Sequence, residues 1–447
     1  MNLTRAFENG IVGFLAAVIA LVSVLPSAHA ELVIDVNKPN PQPMPIAITR
    51  FLGSDRFGQD IAQVVSADLE RSGLFRPIDP NAFPQQPEAI GTQPRFEDWK
   101  LINAQALVNG RAEATADGQI SVEFRLWDVL AGQMKEGQRL SSTTAGWRRI
   151  AHKISDMIYH AITSESGYFD TQIVFIAESG PATRRTKQLA IMDQDGFGYK
   201  VLTPPDPKQM ILTPRFSPSS REIAYMSYFN DKQPRVYLFD IDSGRQEMLG
   251  DFPGMTFAPR FSPDGNRVVM SLAINGASQI YTMDLRTRER RQLTSTTAID
   301  TSPSYSPDGK KITFNSDRGG SPQIYVMNAD GSGVQRISFG PGRYYTPVWS
   351  PRGDLIAFTK QEGDNFSIGI LRPDGKAERI LDQSFLSEGP TWAPNGRVLM
   401  FFRQGRSDSA GRGGGPHLYS VDITGRNLRE IVTPSEASDP AWSPLIP

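Results

Sequence analysis

The amino-acid sequence predicts two domains, a small N-terminal α/β domain followed by a six-bladed β-propeller of WD40-like repeats. Three observations predict it. A short aromatic phrase recurs six times at a nearly constant interval over the C-terminal two-thirds of the chain. Each interval holds four short strand-like segments, the pattern of a propeller blade. The series opens with strands that lack a phrase and ends on a phrase that lacks strands, so the two ends complete one blade.

The phrase is an aromatic residue, then Ser or Ala, then Pro. It stands at Phe216-Ser217-Pro218, Phe261-Ser262-Pro263, Tyr305-Ser306-Pro307, Trp349-Ser350-Pro351, Trp392-Ala393-Pro394 and Trp442-Ser443-Pro444. The prolines are 45, 44, 44, 43 and 50 residues apart. The long last interval contains the glycine-rich run 405–415, which reads as a surface loop. Within one unit, Ser306-Pro307-Asp308-Gly309 suits a tight turn, with Pro at its second position and Gly at its fourth. Lys311 to Phe314 and Gln323 to Met327 follow as strands, then the Asp330-Gly331 turn and a closing strand from Val334 to Ile337.

An open solenoid of the same repeats is the competing architecture. The frayed ends of the series argue against it. Three strands, Ile173 to Ala177, Leu189 to Met192 and Tyr199 to Leu202, precede the first phrase. A terminal strand at Trp442 would join them and close the ring without an exposed sheet edge.

Residues 31–165 lack the repeat. From Gly58 to Ser72, Ile61, Val64, Val65 and Leu69 share one helical face, and Gly73 follows as a stop. Ile120, Val122, Phe124 and Leu126 alternate with polar residues, which predicts a half-buried strand. A second amphipathic helix is predicted from Trp147 to Ala161, with residues 163–170 as a short junction and the propeller spanning 171–447.

Ahead of both domains, Arg5, the apolar run Ile11 to Leu25 and the ending Ala28-His29-Ala30 predict a secretory signal peptide over residues 1–30, cleaved after Ala30. A membrane anchor would need more length, because fifteen helical residues rise only about 22 Å against a hydrocarbon core of roughly 30 Å. No later run is long enough to span a bilayer, so the mature chain from Glu31 is expected to be soluble. The formal net charge is −1, which offers no electrostatic footprint for nucleic acid or an anionic membrane. There is no cysteine, so disulfides, thiolate zinc sites and cysteine nucleophiles are excluded together. An exported chain without disulfides fits a bacterial periplasm.

Motifs for catalysis are lacking. No G-x-S-x-G, GxGxxG or GxxxxGK occurs, and His152 and His160 stand too far apart for an i, i+4 zinc pair. His152 lies off the apolar stripe and is expected to be a solvated surface group, and His417 a structural one. Turns such as Asp193-Gln194-Asp195-Gly196 resemble calcium loops weakly, without the closing Glu, and turn chemistry accounts for them. A propeller-bearing serine peptidase would need a hydrolase domain that this chain does not carry. The sequence thus predicts a binding protein without cofactor, metal or catalysis.

The leader, the small α/β domain, the six blades and the ending Asp439-Pro440-Ala441-Trp442-Ser443-Pro444 together resemble the TolB family of the Tol–Pal system. The resemblance covers the whole mature chain, and blade strands such as Gln323-Ile324-Tyr325-Val326-Met327 share it. It implies a periplasmic protein that links TolA to the lipoprotein Pal and supports outer-membrane integrity and constriction at cell division. It also implies that TolA engages the mature N-terminal segment, here Glu31, Leu32, Val33, Ile34, Asp35 and Val36, with the proline-rich stretch after it forming a detachable arm. An edge strand of the front domain is the plainer reading of that segment. Pal is implied at the channel mouth, on loops leading into the innermost strands: Met255, Thr256, Thr301, Tyr344, Tyr345, Glu388 and Asp439. Where the family often carries a histidine, this chain has Met255. Packing between blades is the plainer role for the two tyrosines. Other outer-membrane proteins are further possible partners, and a glycan-binding propeller or a scaffold for another envelope complex are the alternative functions.

Overall fold

The computed structural model describes residues 32–36, 42–90, 93–181, 184–229, 233–250, 252, 254–408 and 413–446. The leader, Glu31, most of the proline-rich stretch after Val36 and part of the glycine-rich loop lie outside them.

The front of the chain builds one mixed sheet. Its strands are β1 (Met44–Ile48), β2 (Leu52–Gly53), β3 (Phe75–Pro77), β4 (Ala106–Ala114), β5 (Gln119–Asp128) and β6 (Gln133–Thr143). The order is β3-β1-β4-β5-β6, with β2 beside β4. β1 runs parallel to both neighbours, whereas β4, β5 and β6 form an antiparallel meander. Helices α1 (Asp55–Arg71) and α2 (Trp147–Thr163) cover one face. Ile120, Val122, Phe124 and Leu126 point into that layer, as their period-two spacing requires. The opposite face packs Ala47, Leu107 and Trp127 against the short helix Phe96–Leu101 through Trp99. α2 ends where Ser164 turns left-handed at φ 59°, its N–H returning to the His160 carbonyl.

Six four-stranded antiparallel sheets follow as blades. Their inner strands are Gln209–Phe216, Met255–Phe261, Asp300–Tyr305, Arg343–Trp349, Leu386–Trp392 and Glu436–Trp442, numbered here as blades 1 to 6. Blade 6 is composite. Its inner strand comes from the C-terminus and pairs with Gln172–Ser179, Trp442 opposite Ile173, while Thr186–Asp193 and Lys200–Val201 complete it. The two ends of the propeller therefore lock the ring, as the frayed repeat implies.

The recurring phrase has a structural reason. Ser306 Oγ donates to Asp308 Oδ1 at 2.6 Å and accepts the Lys311 N–H at 2.9 Å, while Gly309 takes φ 70°. One serine thus ties the turn at both ends, and Ser262 repeats the arrangement with Asp264 and Arg267. The aromatic residue stitches neighbouring blades: the Trp392 indole N–H donates to the Val348 carbonyl at 3.0 Å.

Every inner strand also carries a bulge just before the phrase. Thr213, Ala258, Ser302, Thr346, Gly389 and Asp439 all take positive φ, and each precedes a proline. The ladder skips at each of these points. Proline has no N–H to lose there, and the bulge turns the following side chain toward the channel.

Candidate binding surface at the channel mouth

The inner strands run from one end of the channel to the phrase turns at the other. The front domain sits on the phrase-turn end. Arg352, in the blade 4 turn, pairs with Glu165. In blade 5, Asn395 donates to the Ser166 carbonyl at 3.2 Å and Asn427 to the Arg71 carbonyl at 2.8 Å. Arg149 reaches Asp170 and the Ile446 carbonyl beside blade 6. The mouth where the inner strands begin is therefore the opposite face, left open.

Met255 stands at that mouth, 42% exposed, at the start of its strand. Thr301, Tyr345, Glu388 and Asp439 are half-buried around the same rim. Thr256 and Tyr344 are turned inward. Thr256 donates its N–H to the Pro234 carbonyl, and its Oγ1 accepts from Val236, which seals the seam between blades 1 and 2. Tyr344 is 0% exposed and packs on Phe358, while its hydroxyl donates to the Glu378 carboxylate at 2.9 Å. Lys360 holds Glu378 in place at 3.2 Å. Burial, reinforced by Glu378, pushes the Tyr344 phenol up to about 12. Adjacent tyrosines on one strand thus differ, Tyr344 packed inward at the rim and Tyr345 half-buried.

Charge at the rim is uneven. Burial, with Asp439 nearby, pushes the Glu388 carboxyl up to about 7. Asp439 itself accepts the Thr213 N–H at 3.3 Å, which bridges blade 6 to blade 1. Both acids line a depression of about 880 Å³ that also takes in Arg185, Lys187 and Glu436. In its wall Glu178 is buried and held by Lys187 at 2.8 Å.

The segment Leu32 to Val36 lies on the other side of the molecule. It is extended but joins no sheet, so it is not an edge strand of the front domain. Leu32, Ile34 and Val36 are buried, and Val33 is 44% exposed. The Ile34 N–H donates to the Ile162 carbonyl of α2, and Arg397 of blade 5 donates to the Val36 carbonyl at 2.8 Å. Arg397 is itself buried and paired with Asp422 at 2.8 Å. The segment is wedged between helix and propeller, because its apolar residues find a hydrophobic seam where the two meet.

His152 corrects the sequence reading. It is 2% exposed, not solvated. Its helix is covered twice, by the sheet on one side and by the propeller on the other, so a residue off the apolar stripe still ends up inside. Nδ1 lies 2.7 Å from Asp68, which Arg71 and Gln194 also engage. Burial pulls the imidazole pKa down, but Asp68 and Asp195 outweigh it and the net direction is up. Asp68, His152 and Asp195 offer donor atoms within 4.8 Å of one another, a spacing that could hold a cation. Arg71 and Arg148 already pair with the two carboxylates, so the cluster reads as a polar lock between domains. Sequence reasoning missed this lock, although Asp195 and Gln194 lie in a turn it had singled out.

Among the described residues no helix is long and apolar enough to cross a membrane. A family model described as the TolB amino-terminal domain matches residues 32–135, and one described as the TolB beta propeller domain matches residues 159–446. The chain is 63% identical over 434 residues to the Tol-Pal system protein TolB of Paramagnetospirillum magneticum, covering 96% of each. It superposes on the crystal structure of TolB from Acinetobacter baumannii with a TM-score of 0.78 at 32% identity, covering 90% of this chain and 97% of that one. The chain belongs to the TolB family of Tol–Pal system proteins.

Proposed function

We propose that this protein is a periplasmic binding component of the Tol–Pal envelope system that joins two partners at opposite ends and catalyses nothing. Pal is held at the channel mouth and TolA takes the N-terminal segment from Glu31 to Val36. Through them the protein supports outer-membrane integrity and constriction at division, and other outer-membrane proteins are further partners. The mature chain begins at Glu31, with a front domain over 31–165 and the propeller over 171–447.

One observation carries this reading. Among the described residues the front domain's contacts fall on the phrase-turn end of the propeller, so the rim and the N-terminal segment occupy opposite faces, and Pal at the rim would leave the segment free to be drawn out of its seam by TolA. Six rim loops on a rigid ring form a natural recognition surface. Tyr345 and Met255 offer apolar area there, and Thr301 and Glu388 offer hydrogen-bonding groups.

Isothermal titration of purified Pal tests the rim. Tyr345→Ala should weaken binding by about 2 kcal/mol, roughly thirtyfold, without lowering the melting temperature. Removal of 31–36 should abolish TolA capture and leave Pal binding intact. Parent-like Pal binding by Tyr345→Ala, Thr301→Ala and Met255→Ala would place the site elsewhere.

A further inference from the structure

The six inner strands repeat their backbone but not their channel-facing side chains. The residue after each bulge proline is Arg215, Arg260, Ser304, Val348, Thr391 or Ala441, in blade order. All six converge on a single chamber of about 190 Å³ at the phrase-turn end of the channel. Aromatic residues, Ser262, Pro218 and Pro263 form the rest of its wall. No carboxylate lines it.

The two guanidiniums are unusual within this molecule. Buried Arg397 is paired with Asp422 at 2.8 Å, and Arg318 with Asp300 at 2.7 Å. Among the described residues Arg215 donates to the Pro214 carbonyl alone, at 2.6 Å. Among the described residues the Arg260 side chain has neither a hydrogen bond nor an ion pair. Shielding from solvent and the presence of Arg215 hold the Arg260 guanidinium well below its ordinary pKa, and burial lowers that of Arg215 despite Asp439 nearby. Both residues are half-buried, so channel water still reaches them, but two like charges facing one chamber whose wall carries no carboxylate repel each other, and a bound anion relieves that repulsion.

Two further donors complete the arrangement. Ser304 Oγ accepts the Trp349 N–H at 3.3 Å, and Thr391 Oγ1 accepts the Trp442 N–H at 3.2 Å. Each hydroxyl accepts one hydrogen bond from the backbone, and among the described residues neither donates its own proton to the protein. Donors thus face the chamber from blades 1, 2, 3 and 5.

We propose that Arg215 and Arg260, with Ser304 and Thr391, form an anion site inside the channel that takes a tetrahedral oxyanion of the phosphate class. Guanidinium forks match the paired oxygens of such an ion. Donors converging from four blades suit four tetrahedral oxygens better than the two of a carboxylate. Pro218 and Pro263, on blades 1 and 2, line the chamber, whereas the front domain's polar contacts fall on blades 4, 5 and 6.

Calorimetric titration of the mature protein with inorganic phosphate, against chloride at equal ionic strength, tests the site. Saturable binding is expected, at least tenfold weaker in Arg260→Gln and in Arg215→Gln. Thr391→Val, a near-isosteric change, should weaken it about threefold and covers the case in which an arginine variant does not fold. Glycerol 3-phosphate separates the sources: binding as tight as phosphate assigns the site to a phosphate ester, and loss of binding assigns it to the free ion. No saturable binding beyond that of chloride, or equal affinity in parent and all folded variants, overturns the proposal.

Discussion

Replacing Trp442 by alanine tests whether the last strand closes the ring. The indole is 7% exposed, its N–H donates to Thr171 Oγ1 at 2.8 Å, and its ring meets Tyr168 edge-on at 5.8 Å. Truncating a buried Trp to Ala costs about 3–5 kcal/mol, and losing an edge-to-face aromatic partner adds roughly 0.5–1.5 kcal/mol. A loss of about 4–6 kcal/mol is therefore expected, against a total stability of roughly 5–15 kcal/mol. At about 2 °C per kcal/mol for a domain of this size, the melting temperature should fall by roughly 8–12 °C. Trp442→Phe is the control. It keeps a ring, and Thr171 still donates to the Tyr168 carbonyl at 2.7 Å, so a loss of only about 1–2 kcal/mol is expected. Deleting 439–447 should do more than either variant, because it removes the whole Trp442 anchor together with the Ala441–Val174 and Trp442–Ile173 pairs and leaves that end of the Gln172–Ser179 strand an open edge. Urea and thermal unfolding read all three. A truncated protein that melts like the parent would show that ring closure does not depend on this strand.

Arg397→Ala should release the N-terminal segment, since it removes the donor to Val36 and strands Asp422; limited proteolysis near Val33 and faster amide exchange at Ile34 are the readouts, and unchanged protection would refute the wedge. Glu388 sets a pH dependence. Its folded pKa of about 7 lies above the ordinary 4.5, so its neutral form favours the fold at low pH and that contribution is lost as pH rises through 7. Glu388→Gln should therefore melt higher than the parent at pH 8 and match it near pH 4.5, and an equal difference at both would refute the assignment. His152 runs in the same direction, its raised pKa adding stability below its ordinary 6.5 that fades at higher pH. His152→Ala should accordingly cost more stability at pH 6 than at pH 8, as compared by thermal melts.

The propeller is legible because its repeat records local chemistry. A serine that ties a turn, a proline that fixes φ and a glycine at positive φ each answer to backbone constraints a few residues wide, so Ser306-Pro307-Asp308-Gly309 announces its own turn. Ring closure was legible for a different reason, since an incomplete repeat at each end leaves one topological solution. The domain interface was not. Whether His152 meets water or Asp68 depends on where a second domain docks, and no periodicity within its helix encodes that. The N-terminal segment shows the same limit, because its alternation of buried and exposed residues mimics a strand while its partners are α2 and Arg397. At the rim, packing between blades is the plainer reading of both tyrosines, and the Glu378 and Lys360 pair that fixes Tyr344 comes from elsewhere in the blade.

What distinguishes this propeller is where its symmetry fails. The bulge with its proline is present in all six blades, so the backbone offers six equivalent positions around the channel. Selection for a stable ring alone would be met by small or apolar side chains there, as at Val348 and Ala441. Instead blades 1 and 2 place Arg215 and Arg260 at one end of the channel, while blades 5 and 6 place Glu388 and Asp439 at the other. All four side chains are half-buried, and burial disfavours the charged form in three of them. A fold that keeps such costly charges at positions where its own repeat supplies cheap alternatives keeps them for what they bind. The acidic end is the rim proposed for Pal and the basic end is the chamber proposed for an oxyanion. Neutralising one member of each pair, with Glu388→Gln and Arg260→Gln, should raise stability in the absence of ligand while weakening only the ligand of its own end. Loss of Pal binding in Arg260→Gln, or of phosphate binding in Glu388→Gln, would contradict two independent sites.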